Sequence, residues 1–111
     1  MSFDASTPAP RSVAVFFDRA ELDLILRLYG RMVAAGEWRD YAIQSDSETA
    51  AFCVFRRTSE QPLYRIEKRP ELARRQGQWA VVGQGGITLK RGHELGQVLR
   101  HFDKKRFSVV E

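Results

Sequence analysis

Cysteine and histidine are both scarce in this sequence. Among its 111 residues the chain has one cysteine, Cys53, and two histidines. A lone cysteine cannot form an intramolecular disulfide, so we do not expect the fold to depend on an oxidising compartment. These residues also fall short of the three or four suitably spaced ligands of a usual zinc site. We therefore predict no metal and no other cofactor.

Long apolar runs are also missing. No stretch approaches the roughly 18 apolar residues that a membrane-spanning helix needs. Residues 1–12 are polar, contain Pro8 and Pro10, and lack the apolar centre of a signal peptide. The sequence therefore predicts a disordered tail over 1–12 and a single domain over 13–111. It also favours a cytoplasmic location without a membrane partner.

The clearest local pattern lies between Asp18 and Gly36. Asp18 followed by Glu21 is typical of a capping box, and Gly36 suits the position just after a helix. The apolar residues between them recur at helical spacing: Leu22, Ile25, Leu26, Tyr29, Met32 and Val33. These features predict a helix over 18–35.

The same helix carries a second apolar set, formed by Leu24, Leu28 and Ala35. It points well away from the first set when about 100° is allowed per residue. A surface helix needs one apolar stripe. The second set is therefore expected either to pack against another element of the chain or to form an interface in a homodimer.

The remaining patterns predict a meander of strands followed by a second helix. β-branched and aromatic runs, bounded by turn residues, predict strands over 13–17, 38–44, 50–57, 63–69, 78–82 and 87–90. Helical spacing returns over 93–102, and 107–110 reads as a terminal strand or a docked tail. The expected class is α+β. We predict a mostly antiparallel sheet of about five to six strands, one long N-terminal helix and one shorter C-terminal helix.

Charge is distributed unevenly along the chain. Residues 51–111 hold thirteen Lys or Arg against six acids, a net +7, whereas residues 1–50 hold five against eight, a net −3. A basic half suggests an acidic partner such as nucleic acid, an acidic protein or an anionic metabolite. It is equally consistent with a solvated basic surface.

The basic residues near predicted strand ends and turns are the main candidate site. We expect these to contact a polyanion: Arg56, Arg57, Arg65, Arg69, Arg74, Arg75, Lys90, Arg91, Lys104 and Lys105. If exposed, Tyr64 and Trp79 would offer surfaces for stacking bases, although such aromatics are more often core residues. Arg65 and Glu67 share one side of their strand, so some of these charges are expected to pair.

Two segments invite an anion-binding interpretation. Gly83-Gln84-Gly85-Gly86 lacks the Gly-Lys-Ser/Thr ending of a phosphate-binding loop and is better explained as a hairpin turn. Lys90-Arg91-Gly92 precedes the second helix, where two cations and free N–H groups would suit phosphate or carboxylate. Cys53 lies within a predicted strand and without a partnering motif, so no catalytic residue is predicted.

Three long segments resemble a known family. LYGRMVAAGEWRDYAI (28–43), FRRTSEQPLYRIEKRPELARRQG (55–77) and GGITLKRGHELGQVLR (85–100) are similar to the alphaproteobacterial domain of unknown function 2794. The resemblance spans about residues 13–105. It implies a bacterial protein but no activity, and it transfers no catalytic or ligand-binding residue.

The sequence thus leaves three hypotheses of function. The first is a non-enzymatic binding module whose basic face meets nucleic acid or another polyanion. The second is a homo-oligomeric structural or regulatory domain that uses the two-sided first helix. The third is a small binder of an anionic metabolite, or an enzyme, that uses the Lys90-Arg91-Gly92 turn.

Overall fold

The computed structural model describes residues 13–57 and 61–110, with side chains as far as Asp103. Within these residues it has two α-helices and a five-stranded antiparallel sheet, which confirms the predicted α+β class. The predicted tail over 1–12 lies outside the described residues. In the same described part of the chain, neither helix is long and apolar enough to cross a membrane.

The first helix, α1, spans Arg19–Ala34 and starts with the predicted capping box. The Asp18 carboxylate accepts a hydrogen bond from the N–H of Glu21, and the N–H of Asp18 donates to the Glu21 carboxylate, both at 2.8 Å. After the helix, the N–H of Gly36 donates to the carbonyl of Val33 at 2.9 Å, as in a Schellman motif. Both ends of α1 are therefore fixed by local hydrogen bonds.

Five strands follow α1 and pair in chain order. They are β1 (Asp40–Ser45), β2 (Ala50–Phe55), β3 (Tyr64–Lys68), β4 (Trp79–Gly83) and β5 (Thr88–Gly92). Each pairs antiparallel with the next, which leaves β1 and β5 at the edges. Their ends lie within two residues of the predicted strands 38–44, 50–57, 63–69, 78–82 and 87–90. The meander is thus confirmed, because turn residues and period-two alternation are local signals.

Both helices cover the same face of the sheet, which we call the helix side. The second helix, α2, spans Leu95–Val110 and packs mainly on β4 and β5. Alternate strand residues meet the two helices in one core: Ile25, Leu28, Met32, Trp38, Phe52, Val54, Ile66, Trp79, Val81, Leu95, Val98, Leu99 and Phe102. The rings of Trp38 and Phe102 meet edge to face at its centre, 5.1 Å apart.

The predicted strand over 13–17 is wrong. This segment is extended but outside the sheet, and the N–H of Val15 donates to the carbonyl of Asp46 at 2.8 Å. Phe17 stacks on Trp79 with ring centroids 6.2 Å apart. The Phe17 ring therefore packs against the helix side of the sheet, whereas Val13 and Phe16 are exposed, and the segment joins no strand ladder.

The alternative of a terminal strand at the end of the chain is also wrong. Residues 107–110 continue α2, so α2 is as long as α1 at 16 residues. The second helix was expected to end at 102. Since neither Gly nor Pro follows Gly96, nothing local stops the helix there.

A close backbone contact joins the loop before β4 to the end of β5. Gly77 has φ +110°, and a Cβ atom at this position would overlap the backbone of Gly92. A side chain is therefore excluded both by the dihedral angle and by the neighbouring strand. The contact fixes where the chain enters β4, next to the last residues of β5.

We predict that Gly77→Ala destabilises the fold by about 3 kcal/mol or more, since dihedral strain and steric overlap act together. Gly85→Ala is the matched control, because Gly85 has a similarly positive φ of +79° but open space around it. Gly85→Ala should lower the unfolding free energy by about 1 kcal/mol. Urea denaturation of both variants measures the difference, and equal losses would contradict the role given to the contact.

Candidate anion-binding groove

The sheet face opposite the helices, which we call the open face, carries the candidate site. In an antiparallel pair, residues directly opposite each other point to the same face. The register places Cys53 opposite Arg65, and Arg65 opposite Val82. It also places Glu67 opposite Ala80, and Ala80 opposite Arg91. These two rows of side chains run across the middle of the open face.

Small residues form the base of the open face. Ala51, Cys53 and Ala80 are each at most 1% exposed, although the helices lie on the other side of the sheet. Their neighbours on the same face are Arg65 and Glu67, whose side chains lie alongside them. Long side chains of this kind cover apolar surface with their stems and keep the charged ends in contact with solvent.

A groove of about 520 Å³ lies over these rows. Gly83 and the turn at 84–86 form part of its rim, and Gln61 and Pro62 form another part. The side chains that line it from the strands and their ends are Arg65, Glu67, Arg69, Val82, Thr88 and Arg91. The groove therefore brings three guanidinium groups together with one carboxylate.

Each guanidinium group has a different partner. Arg65 pairs with Glu67, with 3.1 Å between Nη2 and Oε2, which confirms the pairing expected on this strand. Arg91 donates from Nη1 to the carbonyl of Gly77 at 3.1 Å. Arg69 lies 3.8 Å from Glu48 and 3.6 Å from Glu71, two carboxylates whose side chains are more than half exposed. Exposed pairs of this kind bind weakly, so Arg69 remains able to exchange partners.

Arg65 combines a partly exposed side chain with one buried polar atom. Its Nε is buried, and within the described part of the chain no hydrogen-bond acceptor reaches it. A buried donor without an acceptor costs free energy, and the cost is higher in a charged group. The charge of Arg65 is thus balanced by one carboxylate, that of Glu67, in a partly desolvated environment.

The Cys53 thiol lies under this charged layer. Burial raises the pKa of Cys53, while the neighbouring Arg65 opposes that rise and Glu67 adds to it. A buried, protonated thiol is a poor nucleophile.

The structure places the predicted basic residues in several separate groups. Arg65, Arg69 and Arg91 line the groove, whereas Arg56 and Arg57 line a different concavity beside Trp38. Arg74 and Arg75 are exposed in the loop before β4. Lys90 points to the helix side, since it lies opposite Val81. The side chains of Lys104 and Lys105 lie outside the described residues.

One sequence interpretation of this region is corrected. Lys90-Arg91-Gly92 belongs to β5 and is not a turn, because the ladder continues to Gly92 opposite Trp79. Of the two alternatives for Tyr64 and Trp79, packing against the core applies, since both lie on the helix side and Trp79 is 3% exposed. The glycine turn is confirmed as a hairpin connection, here a short 3₁₀ turn at Gln84–Gly86.

Sequence reasoning missed the residues that complete the groove. Glu67, Val82 and Thr88 were not assigned to it, and Gln61 was not considered. Period-two alternation was the available signal, since it puts Glu67 beside Arg65. Thr88 could not be placed in this way, because a register shift after Val81 sets it opposite Val82.

The second apolar set of α1 divides between two environments. Leu28 is 2% exposed and lies in the core, so it packs within its own chain and cannot reach a second subunit. Leu24 is 43% exposed and lines a groove between the two helices, and Ala35 is exposed at the end of α1. Of the two alternatives for this set, packing within the chain holds for Leu28.

The sequence matches the family described as "Protein of unknown function (DUF2794)" over residues 15–99. The chain belongs to this family. The match includes α1, all five strands and every residue that lines the groove. The groove is therefore part of the family's domain, but the description assigns no activity to it. No curated protein and no solved structure matches the chain.

The raised pKa of Cys53 predicts a pH dependence of stability. Because the folded state disfavours the thiolate, the unfolded chain releases this proton first. The contribution is fully present below the ordinary thiol pKa of about 8.5 and is lost as the pH rises through the higher, folded pKa. We expect the unfolding free energy to fall as the pH rises above about 8.5 and through the raised pKa of the folded state.

Cys53→Ala should reduce this fall, as measured by urea denaturation at several pH values. Burial also raises the pKa of Tyr29, whose ordinary value of 10.0 confines its effect mainly to higher pH. If the unfolding free energy fell equally steeply with pH in both proteins, Cys53 would not titrate as expected.

Proposed function

We propose that this domain binds a small anionic ligand, with Arg65 and Arg91 holding its phosphate or carboxylate group in the open-face groove. The observation that carries the proposal is the set of charged groups that line the groove: three guanidinium groups and one carboxylate, with Glu48 and Glu71 pairing with Arg69 from outside the lining. Guanidinium groups gathered in a concave site raise the local concentration of anions. The proposal joins the expected basic binding face with the expected binder of an anionic metabolite.

The residue type supports anion recognition. The guanidinium group is planar and offers paired N–H donors that match the oxygens of a carboxylate or a phosphate. Arg65 and Arg91 are held by a carboxylate and a backbone carbonyl, at 3.1 Å each, which limits the rotamers they sample. Side chains held in place before binding lose less conformational entropy when the ligand arrives.

The size of the groove favours a small ligand over a polyanion. Its volume of about 520 Å³ falls in the range of small-molecule sites. Extended binding of single-stranded nucleic acid would be helped by stacking on aromatic rings. The aromatic residues Tyr41, Phe52, Tyr64 and Trp79 of the strands face the helix side, and Phe55 lies at the margin of the open face.

Titration calorimetry with pyrophosphate and with citrate, at low salt, tests the proposal directly. We expect binding to the parent chain, and Arg91→Gln should weaken it roughly 10- to 100-fold, as for loss of a hydrogen bond to a charged group. The matched control is Lys90→Gln. This variant removes the same charge from the adjacent residue of β5, whose side chain lies on the helix side.

Equal weakening by Arg91→Gln and Lys90→Gln would contradict a groove-specific site and indicate a diffuse electrostatic effect. If neither anion bound the parent chain, the groove would be a solvated surface and the proposal would be wrong.

Fluorescence anisotropy of labelled RNA and DNA at two salt concentrations tests the broader polyanion hypothesis. A nucleic-acid site would bind less tightly at higher salt, since phosphate contacts release counterions. Arg74→Ala/Arg75→Ala should then weaken binding further, although neither residue lines the groove. We expect the groove proposal instead to give weak nucleic-acid binding that this double variant leaves unchanged.

A further inference from the structure

Strand β1 pairs on one side only, so among the described residues its other side is a free edge of the sheet. It is the outermost strand of the order β1 to β5, and five of its six residues are exposed. An edge strand presents unpaired N–H and C=O groups and can template pairing with another chain. Such an edge needs either protection or a partner.

The hydrogen-bond pattern shows which backbone groups of β1 face outwards. The N–H of Asp46 donates to the carbonyl of Thr49 at 2.9 Å, in line with the register that places Ala42 opposite Cys53. Hydrogen-bonded residues alternate along an antiparallel pair. The even-numbered residues of β1 therefore bond to β2, and Tyr41, Ile43 and Ser45 direct their backbone groups to the free edge.

The two edges of the sheet differ in protection. Strand β5 contains Lys90, Arg91 and Gly92, and its pairing is interrupted by a register shift beside Val81. Positive charges and bulges are common devices against edge-to-edge pairing. Strand β1 has the sequence DYAIQS, with neither Lys, Arg nor Pro, and its register to β2 is unbroken. Within the part of the chain that the structure describes, this edge therefore has no lysine, proline or register shift that would hinder pairing.

Exposed apolar side chains accompany this unprotected edge. Tyr41 is 46% exposed and Ile43 is 45% exposed, both on the helix side. Tyr41 stacks on Phe52 with ring centroids 4.7 Å apart and meets Tyr29 edge to face at 5.0 Å. The ring is therefore fixed in position and still presents nearly half of its surface to solvent.

We propose that a second copy of this chain pairs with β1 in antiparallel fashion, with the two-fold axis at Ala42. This register joins outward-facing residues, because Tyr41 of one copy then lies opposite Ile43 of the other. The four exposed apolar side chains form one cluster, and Asp40 lies opposite Gln44, so like charges do not meet. The strand is thus complementary to itself in a register that its hydrogen-bonding pattern permits.

The dimer would consist of a continuous ten-stranded sheet. A two-fold axis between antiparallel edge strands is perpendicular to the sheet, so both copies keep their helices on the same side. Both open-face grooves then lie together on the other side. The pairing does not depend on the proposed anion site, since none of the β1 residues lines that groove.

Sedimentation equilibrium or light scattering of the full chain over a range of concentrations tests the dimer. We expect the apparent mass to approach twice that of one chain, and Ile43→Lys to return it to the monomer. Ile87→Lys is the matched control, because Ile87 is 64% exposed, undergoes the same chemical change and precedes the opposite edge strand. It should leave the dimer intact.

A parent chain that stays monomeric at its highest soluble concentration would overturn the proposal. Persistence of the dimer in Ile43→Lys would also overturn it. Loss of the dimer in Leu24→Lys would overturn the proposal as well. Leu24 lies on α1, so that result would place the interface on the helices.

Cross-linking tests the register. In a Cys53→Ala background, which removes the cysteine opposite position 42, Ala42→Cys should form a disulfide-linked dimer on mild oxidation. The two Cα atoms would lie about 4.5 Å apart in a non-hydrogen-bonded pair, within the range that a disulfide spans. Gln44→Cys should not cross-link, because it lies opposite Asp40. The reverse result would rule out the axis at Ala42.

Discussion

Burial of one sheet face beneath α1 and α2 is the constraint on which the remaining structure depends. Phe52 and Phe102 are 0% exposed, and Trp38 is 3% exposed. Full burial of a large apolar side chain stabilises the folded state by about 1.5–3 kcal/mol. Because strand side chains alternate, fixing these rings on the helix side sends every second strand residue to the open face. The open face is therefore a consequence of the core.

The open face shows how a sheet surface without helical cover is kept from water. Ala51, Cys53 and Ala80 on β2 and β4 are small and buried, and the stems of the longer, charged side chains of the central strand lie beside them. This arrangement concentrates guanidinium groups over a shallow base. Glu67 offsets part of the charge through Arg65. A surface that covers apolar residues in this way also becomes suited to holding an anion.

The two ends of the sheet have different physical properties. The β5 end is charged and irregular, and it is anchored by the Gly77 contact and by the bond from Arg91 to the Gly77 carbonyl. The β1 end is regular, neutral over most of its length and apolar on its helix side. In the proposed dimer, anion binding and self-association would occupy different parts of one sheet. The two grooves would face the same direction, which would suit a ligand or partner with two anionic groups.

The sequence by itself determined the elements whose signals are local. The ends of α1 follow from hydrogen bonds between near neighbours at Asp18 and Gly36, and the strand limits follow from alternation and turn residues. The tertiary structure decided whether the apolar segments 13–17 and 107–110 would pair as strands, because pairing needs a free neighbour at the right distance. It also decided which basic residues form a site. Arg65 and Arg91 are 26 positions apart in the chain, and they reach one groove only because the strand register and the position of the helices place both on the open face.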